Sequence, residues 1–365
     1  MLKALEERII QISDRDYEAK PFSLEHLLVM ASRLYGWGVR LWQRAYALGV
    51  FPAASMPCPV ISIGNIMAGG TGKTPMTFYL VRRLKAMGLR PVVISRGYGG
   101  TLKEAAAVVG DGESIFLDAE AAGDEPLMMA QRLGVPVVVG RDRRSAGQLA
   151  VETFNPDLLV MDDGFQHLKL KRDLDLVLLD HDRPFGNGRF LPAGRLRETA
   201  AMAARRAHGL ILTRCPEGGG AVPPSIDTTF PGCPAFKTRH RSVLAAWIGG
   251  SDGGGSLAEL RGRRAFLVSG IARNDAFRQS VAALGANVVG HLEFQDHYGY
   301  KRADFSTIQT EADQTRAELV ITTEKDWVKF PAQWEGPMAL VVLGVELECE
   351  DAVQFDTFIR DRIHP

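Results

Sequence analysis

The chain has 365 residues, of which 46% are hydrophobic and 24% charged, enough length and apolar content for two globular domains. Lysine plus arginine equals aspartate plus glutamate at 43 each, so no global positive field favours nucleic acid as a partner. The four cysteines, at positions 58, 215, 233 and 349, have no metal-ligand spacing and favour a reducing compartment over a disulfide framework.

The N-terminal region combines mixed charges with one strongly apolar segment. Charges are interspersed in the first residues, which predicts neither a signal peptide nor a transit peptide. No apolar run reaches the roughly 18 residues that a membrane-spanning helix needs. Residues 23–50 carry large apolar and aromatic side chains in a helical pattern, interspersed with arginines. Such a helix either lies in a membrane interface or packs on the protein body, and the pattern alone leaves both open.

The sequence VISIGNIMAGGTGKTP at residues 60–75 has the order strand, glycine-rich loop, helix. In such a loop, backbone N–H groups and the helix dipole surround polyphosphate, a lysine reaches the outer phosphates and a hydroxyl holds Mg²⁺. Met67 stands where the general pattern has glycine, as in the GGxGK[ST] variant of the loop. The segment predicts a nucleotide site formed by Met67, Ala68, Gly69, Gly70, Thr71, Gly72, Lys73 and Thr74.

Short apolar runs alternate with helical stretches along the rest of the chain. Strands are predicted at 91–95, 135–140, 157–163, 173–180 and 209–213, and after residue 256 at 265–270, 287–294, 318–323 and 339–344. The Gly- and Pro-rich stretch 214–256 between the two sets is interpreted as a linker plus irregular connections. We predict a doubly wound α/β fold with an N-terminal segment (1–57), a phosphate-loop domain (58–235) and a linker with a smaller α/β domain (236–365).

Acidic residues at two places are candidates for metal binding and proton transfer. Asp162 and Asp163 close an apolar strand, where carboxylates can hold Mg²⁺, although Asp-Asp-Gly is also good turn chemistry. Asp124 opens a predicted helix, where it is either an N-cap or the acceptor of a proton from a substrate hydroxyl. His167 follows the acidic pair, and we interpret it as a supporting loop residue.

Aromatic and basic residues extend the candidate site. Tyr98 follows the strand at 91–95 and is either a turn aromatic or a wall of the site. The loop at 185–198 carries arginines that either bind phosphate or form a solvated basic loop: Arg189, Arg195 and Arg197. Farther along, His297 lies among aromatic residues, and Lys325 and Asp326 follow a predicted strand.

Seven motifs together point to a family: GNIMAGGTGKTP, SRGYGG, AGDEP, DDGFQH, FGNGRFLPAGRLRE, FQDHY and TTEKDWVK. In this order they resemble the tetraacyldisaccharide 4′-kinases of lipid A synthesis, over most of the chain. The resemblance implies an enzyme that uses Mg²⁺-ATP to phosphorylate the 4′-hydroxyl of a tetraacylated glucosamine disaccharide 1-phosphate. It also implies a peripheral protein at the cytoplasmic face of the bacterial inner membrane, bound through residues 23–50.

The resemblance further implies roles for individual residues. Asp124 matches the family's catalytic base, and His297 the residue that orients or tunes it. Lys73 and Thr74 match the lysine and threonine of the phosphate loop, and Tyr98 and Arg197 match positions near the nucleotide or the transferred phosphate. The metal-associated acids match Asp162 or Asp163, with Glu198 as a further candidate.

Two other functions fit parts of the pattern. A membrane-recruited nucleotide switch would use the same loop, but it usually has a second lysine where this chain has Ala68. A soluble small-molecule kinase or ligase would use residues 23–50 as core.

Overall fold

The computed structural model describes residues 2–218, 220–250, 255–330, 334 and 336–363, with side chains from residue 8 onward. Within these residues the strands are β1 (Val60–Asn65), β2 (Pro91–Ser95), β3 (Ala107–Asp111), β4 (Pro136–Val139), β5 (Leu158–Met161), β6 (Leu174–Asp180), β7 (Gly209–Thr213), β8 (Ala235–Ile248), β9 (Arg264–Ser269), β10 (Asn287–Glu293), β11 (Leu319–Thr323) and β12 (Ala339–Cys349).

The helices cover both faces of the strands. They are α1 (Leu2–Asp14), α2 (Leu24–Ala47), α3 (Lys73–Ala86), α4 (Ala119–Ala122), α5 (Asp124–Leu133), α6 (Arg143–Phe154), α7 (Ala200–Ala203), α8 (Pro224–Thr229), α9 (Asn274–Ala283), α10 (Arg302–Gln314), α11 (Glu324–Trp327) and α12 (Ala352–Ile363), with a 3₁₀ turn at Leu257–Leu260.

All described strands lie in one sheet of order β10-β9-β11-β12-β8-β7-β6-β1-β5-β2-β4-β3. Neighbouring strands are parallel except β3 against β4 and β8 against β12. Strand β1 lies in the middle of its half of the sheet and is buried along its whole length, as its continuous apolar sequence predicts. The predicted doubly wound α/β fold is therefore confirmed. The four cysteines are free thiols.

The interpretation of residues 214–256 as a linker is wrong. The structure places helix α8 and the 14-residue strand β8 there, and β8 pairs with β7 on one side and β12 on the other. Phe236 and Thr238 are buried, but Lys237, Arg239 and Arg241 interrupt the apolar sequence. A search for continuous apolar runs therefore misses this strand, although it joins the two parts of the sheet.

The C-terminal helix α12 packs against the first half of the chain. Phe355, Ile359 and Ile363 belong to the same buried cluster as residues of α3 and β1. Phe355 lies edge-on to Phe236 of β8, with 5.1 Å between ring centroids. The core of the phosphate-loop half thus includes residues from beyond position 350, and the division at 235/236 stays a prediction.

Helix α2 contacts the body along a narrow line. Leu28, Ser32 and Gly36, spaced one turn apart, are its buried residues. A Cβ at Gly36 would lie 2.5 Å from the ring of Phe190, so only glycine permits this close approach. Large apolar side chains of the same helix are exposed, among them Leu27, Met30, Leu34, Trp37 and Leu41. No helix in the described ranges is long and apolar enough to span a membrane.

Candidate active site

The glycine-rich loop connects β1 to the first turn of α3. Gly72 caps α3 with φ +90°, and a Cβ there would lie 2.7 Å from Nε2 of His240. Both the backbone conformation and the close approach therefore require glycine. Inside the loop, Asn65 donates a hydrogen bond to the Thr71 hydroxyl at 2.6 Å. The loop thus presents the N-terminal end of α3, where backbone donors and the helix dipole favour phosphate.

A neighbouring segment fixes the start of this loop. The Ala68 amide donates to the carbonyl of Arg195, and the Arg197 amide donates to the carbonyl of Ile66, both at 2.8 Å. Met67 forms a β-bridge with Leu196 between these two bonds. The residue that replaces the usual glycine is therefore held in an extended, paired conformation.

The predicted acidic pair lies beside the loop. Asp163 forms ion pairs with Lys73 (3.8 Å) and Arg197 (3.1 Å). Burial acts to raise the pKa of Asp163, but these two cations outweigh it and lower that pKa below its usual value. Asp162 is 3% exposed and accepts a hydrogen bond from Thr77 at 2.9 Å. Burial, together with the carboxylates of Glu125 and Asp163, raises the pKa of Asp162 to about 7.

Asp124, at the start of α5, contacts His297, which lies between β10 and α10. Nδ1 of His297 lies 3.0 Å from Oδ2 of Asp124, although 173 residues separate them. Of the two alternatives for Asp124, the N-cap is wrong: Gly123 occupies that position, and Asp124 is the first residue of α5. Its carboxylate is turned toward His297 instead. The ring of Tyr98 lies 5.4 Å from that of His297, between centroids, and forms a wall beside the pair.

Two lysines surround the Asp124–His297 pair. Nζ of Lys329 lies 3.7 Å from Oδ2 of Asp124, and Nζ of Lys325 lies 3.4 Å from Nε2 of His297. Burial acts to raise the pKa of Asp124, but the hydrogen bond from His297 and the charge of Lys329 lower it below its usual value. Asp124 is therefore a carboxylate at neutral pH, able to accept a proton or a hydrogen bond.

The structure separates the three arginines of the predicted phosphate-binding loop. Arg197 faces Asp163. Arg195 pairs with Asp14 and approaches Gly69 of the loop, where a Cβ would lie 2.9 Å from its guanidinium. Arg189 stacks on Tyr17 at 4.4 Å from the ring centroid. Arg197 and Arg195 therefore lie beside the phosphate loop, whereas Arg189 holds the segment after α1.

Glu198 is completely buried in a hydrogen-bond network. Its carboxylate accepts from Gln43 of α2 (2.8 Å), Gln166 (2.9 Å) and Arg206 (2.9 Å). Both oxygens are thus occupied by protein donors, and the role of Glu198 as a metal ligand stays a prediction. Its neighbour Arg197 donates to Asp163 (3.1 Å) and to Gln166 (3.5 Å), and so connects this network to the acidic pair.

Sequence reasoning missed Arg143, and it left His167 as a supporting residue. Arg143 begins α6, is 4% exposed and donates to the carbonyl of Asp162 at 3.4 Å. Burial lowers the pKa of Arg143 to about 10, and that of His167 to about 4. The position of Arg143 directly after β4, at the carboxyl end of the sheet, was the available signal.

The donor set beside the loop fits magnesium completed by phosphate. In the described part of the chain, no group of three or more His, Cys, Asp or Glu residues could hold a metal ion unaided. Thr74, Asp162 and Asp163 nevertheless offer the oxygen donors that Mg²⁺ prefers. Asp162 is buried beside two other carboxylates, and a bound cation would offset the repulsion among them.

A doubly wound sheet with a glycine-rich loop at the end of its central strand defines a P-loop nucleotide-binding protein. The family described as Tetraacyldisaccharide-1-P 4′-kinase (LpxK) matches residues 24–364, and the chain belongs to this family. The resemblance drawn from the seven motifs is thereby confirmed.

Curated relatives and a solved structure agree with this assignment. The tetraacyldisaccharide 4′-kinase of Syntrophus aciditrophicus is 38% identical over 354 residues, covering 94% of this chain and 93% of the relative. That of Geobacter sulfurreducens is 45% identical over 308 residues, covering 84% of each. The structure of LpxK from Aquifex aeolicus in complex with ATP matches with a TM-score of 0.74 and 30% identity, over 94% of this chain and 100% of that chain.

Proposed function

We propose that the protein transfers the γ-phosphate of ATP to the 4′-hydroxyl of a tetraacyldisaccharide 1-phosphate in lipid A synthesis. The names of its relatives and the ATP bound by the Aquifex protein support this activity. The observation that carries the proposal is the 3.0 Å contact between Asp124 and His297. A carboxylate oriented by an imidazole suits the acceptance of a proton from an alcohol, which a nucleotide switch does not need.

In the proposed reaction the sugar hydroxyl oxygen attacks the γ-phosphorus in line. The new P–O bond forms as the bond between the β–γ bridging oxygen and the γ-phosphorus breaks, and ADP leaves with that electron pair. The hydroxyl proton passes to Asp124, which His297 holds in orientation. Lys73 and Arg197, now paired with Asp163, supply positive charge to the transferred phosphoryl group.

Magnesium and the membrane complete the proposal. Thr74, Asp162 and Asp163 would hold Mg²⁺, which in phosphoryl transfer neutralises charge on the β- and γ-phosphate oxygens. The exposed apolar face of α2, with Leu34 at 73% and Trp37 at 66% exposure, suits the interface of a bilayer. We therefore propose a peripheral enzyme on the cytoplasmic face of the inner membrane, where its acylated substrate resides.

The test is transfer of labelled phosphate from ATP to the disaccharide 1-phosphate lipid in mixed micelles, with Asp124→Asn compared to wild type. We expect wild-type transfer and a loss of about 10²- to 10⁴-fold in the variant, the range for removal of a general base. Asp118→Asn is the matched control, because Asp118 caps the neighbouring helix α4 without contacting the pair. Lipid-stimulated ATP hydrolysis without transfer would replace the kinase with the nucleotide switch.

A further inference from the structure

Two lysines beside the Asp124–His297 pair have no role in the reaction as written above. Lys325 lies in the short helix α11 and Lys329 follows one turn later. The start of α11 is fixed by Thr323, whose hydroxyl accepts from the Asp326 amide at 3.1 Å. Asp326 is completely buried and accepts from the Gly270 amide (3.0 Å) and the Thr323 hydroxyl (2.7 Å). The two lysines are therefore carried by a rigid support.

Lys329 is a buried cation between two carboxylates. Its side chain is 5% exposed, and its Nζ lies 3.1 Å from Oδ1 of Asp326 and 3.7 Å from Oδ2 of Asp124. Among the described residues, Nζ has no hydrogen bond with acceptable geometry, so its charge is compensated by these two ion pairs and by the ring of Tyr300, whose centroid lies 5.6 Å away. Asp326 is held in place by two donors of its own, so it fixes the position of Lys329. The ammonium group of Lys329 is then held beside the Asp124 carboxylate.

Lys325 acts on the other side of the imidazole. Its Nζ lies 3.4 Å from Nε2 of His297, 3.2 Å from Asp296 and 3.6 Å from Glu125. Because a carboxylate only accepts, the Nδ1 that faces Asp124 carries the proton. Nε2 then presents its lone pair to the ammonium group of Lys325. Lys325 therefore faces the ring nitrogen that points away from Asp124.

We propose that Lys325 and Lys329 are positioning residues for the phosphoryl acceptor site. Lys329 holds the Asp124 carboxylate ionised and oriented, and Lys325 holds the His297 ring with Nδ1–H donating to Asp124. The proposal rests on the proposed kinase function for its kinetic consequence. The proposal also predicts the tautomer of His297, which can be measured without any catalytic reaction.

The kinetic experiment compares Lys329→Met, Lys329→Arg and Lys325→Met with wild type. Methionine removes the charge at similar length, arginine restores it, and circular dichroism checks the folding of each variant. We expect kcat to fall at least about tenfold in Lys329→Met, with partial recovery in Lys329→Arg, because misplacement of the base is felt in the transition state. The KM for ATP stays within about twofold, since neither lysine contacts the phosphate loop.

The pH profile separates positioning from a merely structural role. Loss of the Lys329 charge raises the pKa of Asp124, so the acid limb of kcat moves to higher pH in Lys329→Met. Lys237→Met is the control, because Lys237 of β8 forms an ion pair of the same 3.7 Å length with Glu350, which directly follows β12, and neither residue contacts the Asp124–His297 pair. An unchanged acid limb with unchanged kcat, or equal losses in both methionine variants and the control, would overturn the proposal.

Nitrogen-15 NMR of the His297 ring tests the proposal independently of activity. We expect the Nδ1–H tautomer in the wild type and a larger fraction of the Nε2–H tautomer in Lys325→Met, in which the Nε2 lone pair no longer faces an ammonium group. A wild type with the Nε2–H tautomer overturns the proposal even if the kinase is active. A wild type without transfer but with the expected tautomer overturns the proposed function and leaves the positioning intact.

Discussion

His240 of β8 lies directly behind the phosphate loop, against Gly72. Its Nε2 is buried and has no hydrogen-bond partner among the described residues. Burial lowers the pKa of His240 to about 4, assisted by the charges of Arg214 and Arg273 and opposed by Asp180. The neutral ring therefore fills the space against Gly72, and its protonation in the folded protein should lower stability.

His240 makes its own contribution to the pH dependence of stability. The unfolded chain takes up the proton near pH 6.5 and the folded chain only near 4, so stability falls as pH drops through this window and levels off below it. At pH 5 the cost is about 2 kcal/mol. We expect urea unfolding to show a smaller loss between pH 7 and 5 for His240→Gln than for wild type. Equal losses would mean that the ring is accessible to protons in the folded protein.

At the scale of elements, helix α2 has two unlike surfaces. Its buried line of Leu28, Ser32 and Gly36 contacts the segment that also carries Phe190. Its other side exposes large aliphatic and aromatic side chains to solvent, as a membrane- or protein-binding surface does. Gln43, from the same helix, donates to Glu198, so the helix is connected to the segment that positions Arg197.

Negative charges introduced on the exposed side of α2 should weaken membrane binding without changing nucleotide binding. We expect Leu34→Glu with Trp37→Glu to abolish cosedimentation with anionic phospholipid vesicles and to raise the apparent KM for lipid presented in vesicles. ATP affinity should not change, because both side chains point away from the body. The control is Ser306→Glu with Thr310→Glu on exposed positions of α10, which adds the same charge elsewhere. Equal vesicle binding by both double variants would remove α2 from the interface.

Elements with one local signal are predicted well from this sequence, and those that depend on distant partners are not. The strand–loop–helix at residues 60–86 is contiguous, so its apolar run, glycines and lysine identify it unaided. Strand β8 was missed because charged residues interrupt its apolar sequence, and the acids that pair with them, Glu348 and Glu350, lie more than 100 residues farther along the chain. The Asp124–His297 contact was expected only through the resemblance, since no local pattern joins residues so far apart. Lys329 closes the TTEKDWVK motif, but nothing local in that motif indicates that its side chain reaches Asp124.

At the scale of the whole molecule, the last helix completes the first core. Phe355 is fully buried between Tyr79 of α3 (5.5 Å between centroids) and Phe236 of β8 (5.1 Å). The chain therefore cannot form the packing around α3 until its C-terminal residues are in place.

Removal of the Phe355 ring should destabilise the half of the molecule that carries the nucleotide site, although Phe355 is not part of that site. We expect Phe355→Ala to lower the free energy of unfolding by about 3–5 kcal/mol, because it leaves a cavity in the core. Loss of ATP-analogue binding on denaturant titration should coincide with loss of helical circular dichroism. Val353→Ala, at a position 76% exposed on the same helix, is the control and should change stability little. Persistent nucleotide binding after the helical transition would show that the phosphate-loop half folds alone.

The distance along the chain between Asp124 and His297 also orders events during synthesis on the ribosome. The phosphate loop and Asp124 leave the exit tunnel first, while the histidine emerges 173 residues later and Lys329 later still. At about 5–20 residues per second this interval lasts on the order of ten to thirty seconds. A nascent chain in that interval contains the phosphate loop but lacks His297, which orients Asp124. Productive turnover therefore begins only after His297 and Lys329 have emerged.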